Sequence, residues 1–129
     1  MKLSKEDVEL LEGRNFAHFA TISADGSPRA TVLWVDTDGT DVILNRNTVR
    51  SQIDDVKREP RVSVSVHDQA EPYRALTVRG RVVEVTETGA HEHIDKLSMK
   101  YRGRLYQLRP GETRLIVRVR PERVHRYGY

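Results

Sequence analysis

The chain has 129 residues, of which 37% are hydrophobic and 32% charged. That composition belongs to one globular domain spanning 1–129, and no apolar run approaches the ~18 residues a membrane span needs. Cysteine is absent, so disulfides, thiolate nucleophiles, Fe–S clusters and cysteine zinc sites are excluded. The net charge of +3 is a weak bias toward anionic ligands, and with 6% aromatics there is little material for stacking nucleic-acid bases. The first residues, Met1-Lys2-Leu3-Ser4-Lys5, lack the apolar stretch of a secretory signal, so a cytoplasmic location is expected.

Leu3-Ser4-Lys5-Glu6-Asp7-Val8 reads as a helix start: Ser4 caps it, Asp7 stands at the capping-box position, and Leu3 can staple onto Val8. Gly13 is expected to close this helix in a left-handed conformation. The period then changes to two. Phe16 to Ser23, Arg29 to Asp36 and Asp41 to Asn45 read as three strands of a meander, joined by Asp25-Gly26 and Asp38-Gly39, pairs that tight hairpins prefer. Pro28 suits a strand start or an edge.

Helical spacing returns from Thr48 to Arg58, with Val49, Ile53 and Val56 on one face, and Pro60 stops it. Val62, Val64 and Val66 alternate with Ser63 and Ser65 as a half-buried strand. Tyr73 to Thr86 is a longer strand in which Gly80 predicts a bulge or bend. Thr88 can cap a third helix carrying Ala90, Ile94, Leu97 and Tyr101, which Gly103 closes. A last strand runs from Thr113 to Val119, and Pro121 is expected to end the regular structure. Six strands and three small helices predict a mainly β fold, a closed or partly closed antiparallel β-barrel.

The stretch Asn45-Arg46-Asn47-Thr48-Val49-Arg50-Ser51-Gln52 carries polar donors from a strand end into the first turn of a helix. Such a junction suits phosphate, because N–H groups point outward there and Arg46 and Arg50 can add charge-assisted hydrogen bonds. A well-capped, solvated helix start uses the same residue types. His91 and His93, two apart on a helix, point about 200° from each other and cannot share a metal ion. His18 reads as a hydrogen-bonded barrel-end residue. His67 and Asp68 fit a ligand contact or a surface loop equally. Trp34, the single tryptophan, fits core or dimer packing better than a plate under a planar ring. Arg102-Gly103-Arg104-Leu105-Tyr106-Gln107-Leu108-Arg109-Pro110 has the ingredients of an RNA surface but reads better as a structural loop with salt bridges. Nucleic acid is an unlikely partner on this composition.

Several phrases resemble the pyridoxamine 5'-phosphate oxidase-like split β-barrels, in their deazaflavin (coenzyme F420)-dependent oxidoreductase branch. They are Phe19-Ala20-Thr21-Ile22 with Asp25-Gly26-Ser27-Pro28-Arg29, Val32-Leu33-Trp34-Val35, Lys57-Arg58-Glu59-Pro60-Arg61-Val62-Ser63, Arg79-Gly80-Arg81-Val82, Lys100-Tyr101 with Arg109-Pro110-Gly111-Glu112, and Arg120-Pro121-Glu122-Arg123-Val124. The resemblance covers nearly the whole chain.

It implies a six-stranded split barrel that forms a homodimer and binds its cofactor in a groove between the barrels. Carried over by position, ring contacts fall on Arg29, Ala30, Thr31, Val32, Leu33 and Trp34. Phosphate contacts fall on Asn45, Arg46, Arg50, Ser51 and Gln52, with Lys57 nearby. Members of the family usually have Lys where this chain has Gln52, which removes a point charge from the phosphate site. The implied reaction is hydride transfer between deazaflavin and an electron-poor small molecule such as an enone, quinone or tetrapyrrole. FMN is the alternative cofactor, and a non-catalytic flavin- or anion-binding protein the alternative role. Tyr73, Tyr101 and Tyr106 are the candidate proton donors, provided they lie over the ring; no catalytic residue and no metal ligand is assigned.

Overall fold

The computed structural model describes residues 2–47 and 51–129, and for Ser51 the backbone only. Helix α1 (Lys5–Glu12) leads into strands β1 (Phe16–Ile22), β2 (Pro28–Trp34), β3 (Asp36–Thr37) and β4 (Val42–Asn47). Helix α2 (Ser51–Arg58), β5 (Arg61–His67), β6 (Ala75–Thr86), α3 (Ala90–Arg102) and β7 (Arg114–Tyr127) follow. The strands form one antiparallel sheet in the order β2-β1-β5-β6-β7-β4-β3. This is the mainly β, curled split barrel expected, with seven strands rather than six.

The extra strand has a physical origin. Arg29 to Asp36 is not one strand, because the chain leaves β2 at Trp34, turns at Val35 and re-enters the sheet as β3. Strands β2 and β3, one residue apart in sequence, lie at opposite edges of the sheet. The expected meander is therefore interrupted: β1 pairs with β2 from Phe16↔Trp34 to Ile22↔Pro28, whereas β4 pairs with β3 through Asp36↔Ile43 and with β7 through Val42↔Val119 to Asn47↔Arg114. Two sheet edges held one residue apart force the sheet to curl.

The core fills the curl. Phe19 of β1, Val64 and Val66 of β5, Leu76 and Val78 of β6, Leu44 of β4 and Val117 and Val119 of β7 are all buried, with Leu10 and Leu11 of α1 and Ile53 and Val56 of α2 closing the ends. Strand alternation puts these positions inside and their neighbours outside.

The predicted caps hold in part. Ser4 Oγ accepts from Asp7 N and Asp7 Oδ2 accepts from Ser4 N at 2.8 Å, a complete capping box. Gly13 ends α1 in an extended conformation with φ −67°, not the left-handed one expected. Gly103 closes α3 at φ 72°, while the N-cap of α3 is Gly89 rather than Thr88. The part of the predicted helix at Thr48 to Arg50 lies outside the described residues.

Strand β7 continues through Pro121 instead of stopping there. The register shifts between Arg79 and Gly80, and Gly80 lies opposite Pro121. A Cβ on Gly80 would meet Arg120 O at 2.1 Å, so the bulge predicted at Gly80 is what lets the partner strand carry a proline.

The chain ends are tied by Asp7, which is fully buried. Arg126 Nε donates to its Oδ1 at 2.9 Å, Arg126 Nη2 to Oδ2 at 2.6 Å, and Tyr129 Oη to Oδ1 at 2.6 Å. Burial pushes the Asp7 carboxyl up, but the hydrogen bonds from Arg126, Tyr129 and Ser4 outweigh it and hold it at about 2. A carboxyl depressed on folding contributes its stability above its unfolded value near pH 4 and loses it as pH falls toward 2. Asp7→Asn should therefore cost about 2–4 kcal/mol at pH 7. In urea melts repeated from pH 6 to pH 2.5, the gap to the wild type should narrow steadily below pH 4.

Candidate functional site

The split between the sheet edges is the most promising concavity. Strand β2 forms one lip, and the open stretch of β4 beyond Ile43 faces it; no ladder joins them among the described residues. Two adjoining cavities occupy this gap. One, of about 380 Å³, is walled by Arg29, Thr31, Arg46, Asn47 and Gln52; the other, of about 320 Å³, by Phe16, Trp34, Ile94, Arg102 and Tyr106. Both share Val32, Leu33, Asn45 and Arg114, so they form one groove with a polar end and an aromatic end, of ligand-binding size.

The fold thus brings together Arg29, Thr31, Val32, Leu33, Trp34, Asn45, Arg46 and Gln52 from the sequence-derived set. Ala30 and Lys57 are exposed and do not line these cavities. Arg50 and the side chain of Ser51 lie outside the described residues.

At the polar end, Arg29 Nε lies 3.0 Å from Asp55 Oδ2, and Asp55 also accepts from Thr21 Oγ1 at 2.8 Å. Asp55 is buried on α2, so this pair fixes the start of β2 against the helix. Gln52, also on α2, is 1% exposed. Its Nε2 donates to Phe19 O at 2.9 Å and Arg29 O at 3.3 Å. Flipping the amide would set oxygen against two carbonyls, so the orientation is fixed. The consequence is that, among the described residues, Gln52 Oε1 is buried without a partner, as is Asn47 Oδ1. Gln52 thus ties the first hairpin to α2 with a neutral amide.

The middle of the groove rests on Asn45, whose amide is saturated. Nδ2 donates to Ala90 O at 3.0 Å and lies 3.1 Å from His93 Nδ1, while Oδ1 accepts from Arg114 Nε at 2.8 Å. His93 Nδ1 must then be the acceptor, which leaves the proton on Nε2 to reach Asp36 Oδ2 at 3.0 Å. Burial raises the Asp36 carboxyl, yet hydrogen bonds from His93, the Thr37 amide and Lys96 hold it well below the usual carboxylate range. His93 is therefore no metal ligand: it links β3 to β4 through α3. No cluster of three or more metal-ligating side chains occurs among the described residues.

At the aromatic end, Trp34 stacks on Tyr101 at 5.1 Å and 7°, and Arg102 Cζ lies 5.1 Å from the Trp34 ring centroid. Tyr101 Oη donates to Asn15 O and accepts from Val35 N at 3.1 Å. Burial pushes its phenol up to about 12. With both its roles filled, Tyr101 is a scaffold rather than a proton donor. Lys100 Nζ donates to Val35 O at 2.6 Å, and its burial lowers it to about 8. Tyr106 Oη donates to Glu112 Oε2 at 2.8 Å, and burial and that bond raise it. Tyr73 is exposed and remote from the groove's lining. His18 is exposed too, stacked 6.3 Å from His67 on the outer sheet face.

Sequence reasoning missed Phe16, Ile94 and Arg114 as groove residues. Arg114 enters only because β7 pairs Arg114 with Asn47, a register invisible from the single sequence. Its Nη1 meets Glu112 Oε2 at 2.9 Å and its Cζ lies 5.2 Å from the Tyr106 ring centroid, so it braces the wall between β4 and the loop.

The profile of the pyridoxamine 5'-phosphate oxidase family matches residues 3–128, and the chain belongs to that family. Among solved structures, an F420 reductase is 31% identical, with a TM-score of 0.81 over 91% of this chain and 94% of that one. A conserved hypothetical protein of Mycobacterium tuberculosis is 22% identical, with a TM-score of 0.79 over 97% and 84%. A Lactobacillus delbrueckii protein assigned provisionally as a pyridoxamine 5'-phosphate oxidase is 23% identical, with a TM-score of 0.69 over 96% and 93%; these last two share the fold. No curated protein matches. Among the described residues no helix is long and apolar enough to cross a membrane.

Gln52→Leu should remove the donor that ties α2 to Phe19 O and Arg29 O and lower stability by about 1–2 kcal/mol. Gln52→Lys, which keeps donors, should lose less; chemical denaturation of both variants checks the order.

Proposed function

We propose that this protein is an oxidoreductase that binds coenzyme F420, with FMN as the second reading, in the groove between β2 and β4. The observation that carries the proposal is the groove's polarity. One end is lined by Arg29 and Arg46 with Gln52 and Asn47, whose Oε1 and Oδ1 are buried acceptors without a partner among the described residues. The other is walled by Phe16, Val32, Leu33 and Trp34. A ligand with a flat apolar ring, hydroxyl and N–H donors and an anionic tail matches that sequence of surfaces, and both cofactors have those parts. The likeness to an F420 reductase across most of both chains favours the deazaflavin.

When bound, the cofactor supplies the hydride chemistry. The chain's residues orient and enclose. Val32 and Leu33 offer an apolar floor, and Asn45, immobilised by Ala90, His93 and Arg114, sets a fixed wall. Gln52 and Asn47 accept hydrogen bonds, and Arg46, with the sequence-derived Arg50 and Ser51, counters negative charge. Lys57 contributes through the field alone. The substrate is an electron-poor small molecule, and the same reading keeps the protein in the cytoplasm.

The proposal includes a homodimer. Outward-facing Ala30, Ala20 and Ser63 lie in one row across β2, β1 and β5 that continues onto Arg79 of β6, and Val32, His18, Ser65 and Thr77 lie in the next. Around β2 and β1 this face carries small or uncharged side chains, with Val32 55% exposed, suited to a second copy packed flat against it. Light scattering should give twice the monomer mass, and Val32→Glu should return the protein to monomer while leaving the fold intact by circular dichroism.

For the cofactor, F420 fluorescence polarisation should saturate on titration with the protein, with FMN binding weaker by absorbance. Replacing Arg46 with Ala should cost about 1.5–3 kcal/mol of cofactor affinity, the range for a hydrogen bond to a charged group. Tight binding of FMN alone would favour the second reading; binding of neither would remove the proposal.

A further inference from the structure

A third cavity, of about 710 Å³, lies between the last turn of α3 and the loop that leads into β7. Ser98, Arg102, Arg104, Tyr106, Gln107 and Arg109 line it. Arg102 and Tyr106 also line the aromatic end of the cofactor groove, so the two spaces adjoin.

The charge in this wall is unbalanced. It holds three guanidinium groups and no carboxylate, and among the described residues Arg102, Arg104 and Arg109 make no ion pair. The nearby acids face elsewhere. Glu112 accepts from Tyr106 Oη at 2.8 Å, Arg114 Nη1 at 2.9 Å and Arg109 N at 3.0 Å. Asp95 accepts from Tyr106 N at 3.1 Å and lies 3.8 Å from His91 Nε2.

Those bonds explain the loop's shape without using the side chain of a single arginine of the cavity. Tyr106 and Glu112 pin the backbone, and Arg114 stacks on Tyr106. The side chains of Arg104 and Arg109 are exposed and carry no structural bond. Three like charges around a concavity repel one another, and the concave wall focuses their field on whatever occupies it. A fixed loop that keeps such an arrangement has a standing affinity for an anion.

We propose that this cavity is the substrate's anion subsite. The reading rests on the oxidoreductase assignment above: a planar acceptor enters at Trp34 and Tyr106, and a carboxylate attached to it extends among Arg102, Arg104 and Arg109. The substrate class is then an enone or quinone bearing at least one carboxylate, rather than a neutral one. Arg104 and Arg109 determine specificity, and Arg102, stacked over Trp34, joins the two halves of the site.

The test uses two acceptors of the same shape, anthraquinone-2-carboxylate and anthraquinone-2-carboxamide. Binding to the full chain is read from the fluorescence of Trp34, the single tryptophan. The carboxylate should bind about fivefold more tightly at low salt, the sum of two exposed ion pairs, and the advantage should shrink as salt is raised. In the double variant Arg104→Gln, Arg109→Gln the two affinities should become equal, with that for the carboxamide unchanged. Equal affinities in the wild type, or an advantage that survives in the double variant, would overturn the proposal. So would steeply salt-dependent binding of a short RNA with no carboxylate preference. Because the quinones are titrated without cofactor, a protein that binds neither F420 nor FMN would remove the oxidoreductase reading while the carboxylate preference is still measured.

Discussion

The structure turns on the single residue Val35, where the chain passes from one edge of the sheet to the other. Tyr101 Oη receives the Val35 amide and Lys100 Nζ donates to its carbonyl, so the crossing is held from outside by the last turn of α3. These two bonds keep β2 and β3 at opposite edges yet within reach. The gap that results between β2 and β4 is the groove. Had β2 simply continued as a strand, the sheet would present two ordinary edges and no groove.

The same helix does two jobs through different faces. Toward the crossing it offers Lys100 and Tyr101, and toward β4 it offers His93, which Asp36 orients and which in turn positions Asn45. Both depend on burial. In a low-dielectric setting each polar group must find its partner, and once found the partner is hard to displace. The interior polar residues Asp7, Asp36, Asp55 and Gln52 accordingly act as ties between elements that are distant in sequence. Gln52 Oε1 and Asn47 Oδ1, which have no partner among the described residues, stand out against this background of satisfied bonds.

Gln52 shows how one substitution changes what a site asks of its ligand. A lysine there would bring a charge toward an anionic group. The glutamine amide directs its donors to the backbone of the first hairpin and turns its oxygen the other way. On the proposed reading, anion affinity then falls to the arginines, and a ligand hydroxyl or N–H gains a partner. This division agrees with the uneven charge of the molecule, in which guanidinium groups gather at the groove and in the loop before β7.

Much was legible in the sequence alone. Period-two runs such as Val62-Ser63-Val64-Ser65-Val66, the Ser4 capping box, the Gly80 bulge and the Gly103 helix end are local features, set by side-chain alternation and backbone sterics within a few residues. The family phrases pointed to β2 and the end of β4, which the structure makes the two lips of the groove. Only the tertiary structure decided that Arg29 to Asp36 breaks at Val35, that β7 runs through Pro121, and that Arg114 and Phe16 join the groove. It also decided that Tyr101 and His93 are ties rather than chemical groups. Each of these depends on a partner 50 or more residues away or on the register of a distant strand, and hydrogen-bond satisfaction between such partners leaves no periodic trace along the chain.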